Sequence, residues 1–168
     1  MTKMAITQDL SLHRRFWTKV DSEDWLDGCW NWTGAKDPAG YGRFTDRKHG
    51  KPQLAHHWSW YFADGTTIPK GLGIDHICLN RACVRPDHMR IANRKQQREN
   101  LTGAHRNNRS GVRGVYAYPG EKRFRVRVAH DGREVNGGTY DTLEKAERAA
   151  VALRRKLFTH NERDKGFQ

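Results

Sequence analysis

The spacing of apolar positions changes several times along the chain, and each change marks a new element. Leu12, Phe16 and Val20 recur at helical spacing, with His13, Arg14, Arg15 and Lys19 on other faces, which predicts a short amphipathic helix over 10–20. Asp27-Gly28 is a turn, and Cys29-Trp30-Asn31-Trp32 alternates as a strand does. Each tryptophan carries a large apolar area, so Trp30 and Trp32 are expected in the core. Asp37-Pro38-Ala39-Gly40 turns the chain into a second strand, Tyr41-Gly42-Arg43-Phe44, and the polar stretch 46–52 reads as another turn. Together these strands are expected to form a hairpin framework. Leu54, Trp58, Tyr61 and Phe62 fall at i, i+4, i+7 and i+8 and predict a helix over 54–63. After a loop over 65–73, Ile74-Asp75-His76 reads as a short strand. Met89 and Ile91 suit its partner, and Asn93 is a reasonable N-cap for a helix over 94–100.

From 101 to 110 the periodicity is lost in a polar, basic segment that reads as a linker. Val112 to Tyr118 is then a strand ended by Pro119-Gly120. In the next strand Phe124, Val126 and Val128 alternate with Arg123, Arg125 and Arg127, placing three apolar side chains on one face and three arginines on the other. Asp131-Gly132 is a hairpin turn leading to a third strand over 133–140. Asp141-Thr142-Leu143-Glu144 reads as a capping box with Asp141 in the cap position. Leu143, Ala146, Ala150, Leu153 and Leu157 mark a helix ending near Phe158. One helix covers one face of such a sheet and leaves the arginine face open. A β-ribbon of this width enters the major groove, where arginine pairs with guanine. Arg123, Arg125 and Arg127, with Arg113, Tyr116, Lys122 and Arg133, are therefore the candidate DNA contacts.

Composition sharpens this picture. Only 36% of the 168 residues are hydrophobic, so neither part has a large core, and small cores usually need a staple. A net charge of +12 favours a polyanionic partner. No apolar run approaches the ~18 residues of a membrane span, and residues 1–9 lack the apolar segment of a signal peptide. The expectation is an intracellular protein with no membrane partner. Three cysteines, an odd count, suit a metal in a reducing compartment better than a disulfide framework. Cys78, Cys83 and His88 lie close together, and thiolate and imidazole are the donors zinc prefers. Cys29 is the one cysteine left to complete a closed Cys3His structural site. His76 then stands outside the set, next to Asp75, as a candidate general base.

The run His76-x-Cys78-x4-Cys83-x4-His88, with Arg85-Pro86 before the last histidine, resembles the His-Cys box of homing endonucleases, part of the larger HNH or ββα-metal class. Gly28 to Gly34, Gly40 to Phe44 and Ala55-His56-His57 are similar to segments of phage and intron HNH proteins, so the resemblance spans roughly 12–100. It implies that His76 activates water and that Cys29, Cys78, Cys83 and His88 bind structural zinc. A catalytic Mg2+, replaceable by Mn2+, would sit at the position 21 residues after the base; the family usually has Asn or His there, and this chain has Gln97, with Asp75 as a second donor. Arg43 would approach a phosphate. His56 falls where the family often carries His-Arg, with His57 in place of the arginine. Further on, Ser110 to Val115 and Gly138 to Ala146 resemble the plant ethylene-response type of DNA-binding domain, which phage HNH nucleases are known to carry.

The expected fold is thus α+β: a zinc-stabilised ββα-metal nuclease domain over 1–102, a linker over 103–109, and a small three-stranded antiparallel sheet plus helix over 110–168. The expected function is a site-specific, homing-type endonuclease acting on double-stranded DNA, phage-encoded and working inside a host cell. One site cuts one strand, so a double-strand break takes a homodimer on DNA or two successive nicks. The alternative is a non-enzymatic, zinc-stabilised DNA-binding regulator, which Gln97 favours. An RNA-binding or ribosome-associated zinc protein would explain charge and zinc but not His76 beside Asp75.

Overall fold

A computed structural model describes residues 10–22, 26–46, 50–120 and 122–166. The expectations for residues 1–9 and for the centre of the 46–52 turn lie outside these. The chain forms two compact units, Met1–Asn93 and Arg94–Gln168. The class is α+β, as the pattern predicts.

In the first unit, α1 (Leu10–Trp17) buries Leu12 and Phe16. It stops short of the expected residue 20, because Val20 is taken into β1 (Val20–Asp21), which pairs antiparallel with β2 (Asn31–Trp32). Phe16 is fully buried, with the rings of Trp17, Trp32, Phe44 and Phe62 centred 5.0–5.3 Å away. Tilted and edge-on contacts of this kind favour aromatic rings beyond their buried area. Leu12, Trp32, Phe44, Ala55, Trp58 and Val84 complete the cluster, with Trp30 packed against it.

The expected hairpin does not form between the 29–32 and 41–44 segments. Instead β3 (Arg43–Phe44) pairs with β4 (Gln53–Leu54). The reason lies in the edges of β2. One edge is paired to β1, and on the other the Trp32 N–H donates to the Ala82 carbonyl while the Val84 N–H donates to Trp30, both at 2.8 Å. The strand has no edge left for a hairpin partner. α2 (Ala55–Asp64) follows β4 and ends at Gly65, whose left-handed φ of 69° sends its N–H back to Tyr61. β5 (Gly73–His76) and β6 (Met89–Ala92) pair antiparallel, His76 opposite Met89 and Asp75 opposite Arg90.

The second unit opens with α3 (Arg94–Glu99). Its sheet runs β7 (Val115–Ala117), β8 (Phe124–His130), β9 (Arg133–Tyr140) in spatial order, all antiparallel. α4 (Leu143–Leu157) packs Ala146 and Ala150 on Val115 and Val126. A bulge between Val126 and Arg127 sets Gly137 against the core, where an added Cβ would lie 2.4 Å from Val126 Cγ1. The cap of α4 is Thr142 rather than Asp141: its Oγ1 accepts from the Lys145 N–H at 3.3 Å, which puts Glu144 one place too early for a capping box. Asp141 pairs with the Lys145 ammonium at 2.8 Å instead. A short α5 (Glu162–Lys165) was not legible in the pattern; its Asp164 forms a buried ion pair with Arg154 at 2.6 Å.

The division between the units falls at Asn93/Arg94, ahead of α3 and of the 103–109 stretch. Within that stretch, Asn108 Nδ2 donates to the carbonyls of Val112 and Val115 at 3.0 and 2.9 Å, tying the segment to the start of β7.

Candidate active site and metal centre

Cys78, Cys83 and His88 all come from the loop between β5 and β6. The Ile77 N–H donates to the His88 carbonyl at 2.9 Å and closes the loop at its neck. Leu79 takes a left-handed φ of 59°, a rare conformation for a side-chain-bearing residue, at the tight turn after Cys78. A 3-10 turn, Pro86–His88, presents the histidine. Cys29 arrives on the 28–32 segment, drawn in by the bonds between Trp30, Trp32 and the loop backbone. The Arg85 guanidinium fastens it further, donating to Gly28 O at 3.0 Å and Leu26 O at 2.5 Å while lying 5.7 Å from the Trp30 ring centre.

The donor atoms of Cys29, Cys78, Cys83 and His88 all lie within 4.8 Å of one another. His88 Nδ1 is 3.6 Å from Cys29 Sγ and 3.7 Å from Cys83 Sγ. Tetrahedral zinc with Zn–S of ~2.3 Å and Zn–N of ~2.0–2.1 Å has an S···N edge of about 3.6 Å. The residues therefore fit zinc in both donor chemistry and spacing. A hydrogen bond from the Cys78 thiol holds the Cys83 thiol below its ordinary pKa, although burial opposes the shift, and the Arg85 N–H donates to the same sulfur at 3.5 Å. Four protein donors would leave a bound zinc no open position, the arrangement of a structural site.

His76 ends β5, buried at 6% exposure. Its Nε2 lies 3.0 Å from the Cys83 carbonyl oxygen. A carbonyl can only accept, so Nε2 carries the proton and Nδ1 keeps the lone pair. Burial lowers the His76 pKa and outweighs the Cys83 hydrogen bond and the Cys83 and Asp75 charges, which raise it. The ring is therefore neutral near pH 7, the state a general base requires.

Two aromatic neighbours bound this ring. His56 lies edge-to-face at 4.9 Å and 80°, and Tyr41 at 6.0 Å and 39°. Burial, then the charges of His76, His57 and Arg43, hold the His56 pKa at about 2, so it too is neutral. Its Nδ1 is buried with no hydrogen-bond partner among the described residues. Tyr41 was not foreseen as a site residue, since its motif points equally to a turn-bordering strand. Arg43 is 41% exposed and is steadied by Asp37 at 3.3 Å.

Asp75 and His76 are adjacent in β5, and adjacent strand residues face opposite sides. The acid expected to stand with the base at the ion is instead engaged across the sheet by Arg90, whose Nε lies 2.9 Å from Oδ2. Its charge still reaches His76 and raises that pKa. Gln97 lies in α3, within the second unit.

On the open face of the second unit's sheet, Tyr116 stands opposite Arg125, and the Arg125 guanidinium lies 4.6 Å from the Tyr118 ring centre. Arg127 is partly neutralised by Glu134 at 3.4 Å. Lys122, Arg123 and Arg133 are exposed. Arg113 departs from expectation. Its guanidinium donates to the carbonyls of Arg98, Glu99 and Leu101 at 2.6–2.9 Å and lies 5.3 Å from the Phe158 ring centre. Two of those carbonyls, Arg98 and Glu99, are at the C-terminal end of α3, where helix carbonyls lack partners within the helix, so the Arg113 guanidinium is engaged within its own unit.

Among the described residues, no helix is long and apolar enough to cross a membrane. No solved structure matches the chain. It is 29% identical to Protein 2.8 of Escherichia phage T7 over 82 residues, covering 49% of this chain and 55% of that protein. It is 42% identical to the gene 5.3 protein of Enterobacteria phage T3 over 50 residues, covering 30% of this chain and 46% of that protein. The chain thus spans about half the length of these curated relatives. Residues 53–99 match the HNH endonuclease family model, a span that contains α2, His76, the three candidate loop ligands and α3.

Proposed function

We propose that the chain is a site-specific, homing-type DNA endonuclease in which His76 is the general base, zinc is structural and the second unit's sheet face engages duplex DNA. The observation that carries this is the state of His76. It is a buried neutral imidazole with Nε2 tied to the carbonyl of Cys83, inside the segment that matches an HNH endonuclease. Water attacks the phosphorus opposite the leaving 3′ oxygen, its proton passes to His76 Nδ1, and the bond from phosphorus to that oxygen breaks. Arg43 offers charge to a phosphate oxygen, and His56 acts through His76 by holding its ring.

Gln97 carries an oxygen donor of the hard type that Mg2+ accepts, with Mn2+ as a substitute. An ion bound to it would offset charge on the scissile phosphate and the departing oxygen. The substrate is double-stranded DNA, cut as a homodimer or by successive nicks inside the host cell.

One observation favours a second reading, a DNA-binding regulator without cleavage: Gln97 stands where this class usually has Asn or His. Incubating zinc-loaded protein with supercoiled plasmid and Mg2+ or Mn2+ separates the two. Nicked product that disappears with His76→Ala supports the nuclease, and intact plasmid with retained DNA binding supports the regulator.

A further inference from the structure

We propose that Arg85 is a positioning residue that holds Cys29 against the three loop donors and so sets how fast zinc leaves the site, an inference that rests on the Cys3His group binding zinc. Cys78, Cys83 and His88 share one short loop, closed at its neck by the bond from the Ile77 N–H to the His88 carbonyl. Bringing these three together costs little chain entropy. Cys29 lies 59 residues from His88 along the chain and is only partly buried, so its place depends on tertiary bonds. On its C-terminal side, Trp30 and Trp32 bond the loop backbone at 2.8 Å, and Asn80 Nδ2 donates to Asn31 Oδ1 at 2.8 Å. On its N-terminal side, the Arg85 guanidinium donates to the Gly28 and Leu26 carbonyls at 3.0 and 2.5 Å.

Arg85 touches both halves of the site. Its backbone N–H donates to Cys83 Sγ at 3.5 Å, while its side chain reaches across to Gly28, the residue before Cys29. That side chain is 12% exposed and lies against the Trp30 ring, 5.7 Å from its centre. Burying a cation is costly unless it is paired. Among the described residues the acid beside it is Asp87, 3.7 Å away and 80% exposed, too solvated to offset that cost. A bound metal would. Zinc with three thiolates and a neutral imidazole carries a net negative charge, and the Arg85 cation is fastened to the residue preceding one of those thiolates. The planar guanidinium also reaches two carbonyls at once, which an ammonium on a flexible stem holds less firmly.

The test uses the full-length, zinc-loaded chain as parent, Arg85→Met, Arg85→Lys and Leu12→Ala, the last a core substitution outside the metal loop. Zinc release into excess chelator is timed, and iodoacetamide alkylation of Cys29, Cys78 and Cys83 is mapped by mass spectrometry. Partners that orient metal ligands typically contribute ~10–100-fold to metal affinity. Arg85→Met should therefore release zinc ~10–100-fold faster than the parent, with Cys29 alkylated well ahead of Cys78 and Cys83. Arg85→Lys keeps the charge without the fork and should fall between the two; it carries the test should Arg85→Met fold poorly. Leu12→Ala should lower the melting temperature while the three cysteines react in the parent's order, which separates retention of Cys29 from lost stability. Zinc release at the parent rate in both Arg85 variants, or equal acceleration at all three cysteines, overturns the inference alone. A parent that takes up no zinc overturns the reading of the Cys3His group and this inference with it.

Discussion

His76 and Cys83 are joined by a hydrogen bond of 3.0 Å from ring Nε2 to backbone carbonyl, so the residue that supplies a sulfur to the metal site also orients the candidate base. Structure and chemistry meet in one loop, yet they separate by residue. The sulfur of Cys83 belongs to the candidate metal site while its carbonyl accepts from His76. Damage to the loop should therefore affect both functions, and damage to His76 only one.

Zinc removal is expected to unfold the first unit. A structural zinc contributes on the order of 10 kcal/mol to folding, more than a small core centred on Phe16 can replace. Chelation, Cys29→Ser or His88→Ala should each abolish the cooperative melting of that unit, and metal analysis should find one zinc per parent chain. A metal-free protein with an intact first transition would rule out the closed site.

Gln97 should govern the divalent-ion requirement. Gln97→Ala should raise the Mg2+ concentration needed for half-maximal nicking by at least ~10-fold, about 1.4 kcal/mol of binding. Gln97→Asn, with the usual family side chain, should retain or improve activity. If only the Asn variant cuts, the natural chain is the regulator.

The arginines of the second unit should divide into two groups. Arg125→Ala should weaken duplex binding and lower the salt slope by about one unit if it contacts a phosphate, or cost ~1–3 kcal/mol of base discrimination if it reads a base. Arg127→Ala should do less, because Glu134 already balances its charge. Arg113→Ala should instead lower the melting temperature, since charge-assisted bonds to the carbonyls of Arg98, Glu99 and Leu101 are lost, on the order of 2 kcal/mol. Equal affinity losses at Arg113 and Arg125, with unchanged melting, would contradict this division.

Much of this was legible from periodicity and ligand counting. The α2 stripe of Trp58, Tyr61 and Phe62, the β5–β6 pair and the alternation of β8 each repeat over enough residues to fix element type, although Leu54, read with that stripe, ends β4. Cys29 followed from arithmetic, as the one cysteine left for a fourth position. Two-residue strands such as β1 and β4 carry no period, and the capture of β2 by the metal loop depends on Ala82 and Val84, which no local pattern links to Trp30. The partners of Arg113 and Asp75 were not legible for one reason: a sequence shows a charge but not the distant group that engages it. Arg154 and Asp164 were hidden in the same way.

That buried pair also sets the acid behaviour of the second unit. Burial pushes the Asp164 carboxyl up, but hydrogen bonds from Arg154 and Asn161 and the charges of Arg154 and Arg113 outweigh it and hold the pKa below its ordinary value. The folded state therefore binds this proton less well than the unfolded chain does. Stability from the pair is complete above the ordinary carboxylate pKa of ~3.9 and is lost as pH falls through the depressed folded value. Asp164→Asn should destabilise the unit by about 3–5 kcal/mol at pH 7 and flatten its stability below pH ~4. A variant that keeps the parent's acid transition would show that other carboxylates control it.

The most direct test of the account compares parent and His76→Ala at equal zinc content for Mg2+-dependent nicking of supercoiled plasmid. General-base catalysis contributes ~10^2–10^4-fold, so His76→Ala should lose that much rate while keeping one zinc, the parent melting curve and the parent DNA affinity. A His76→Ala protein that nicks plasmid at the parent rate, with zinc and fold intact, would contradict the assignment of His76 as the base.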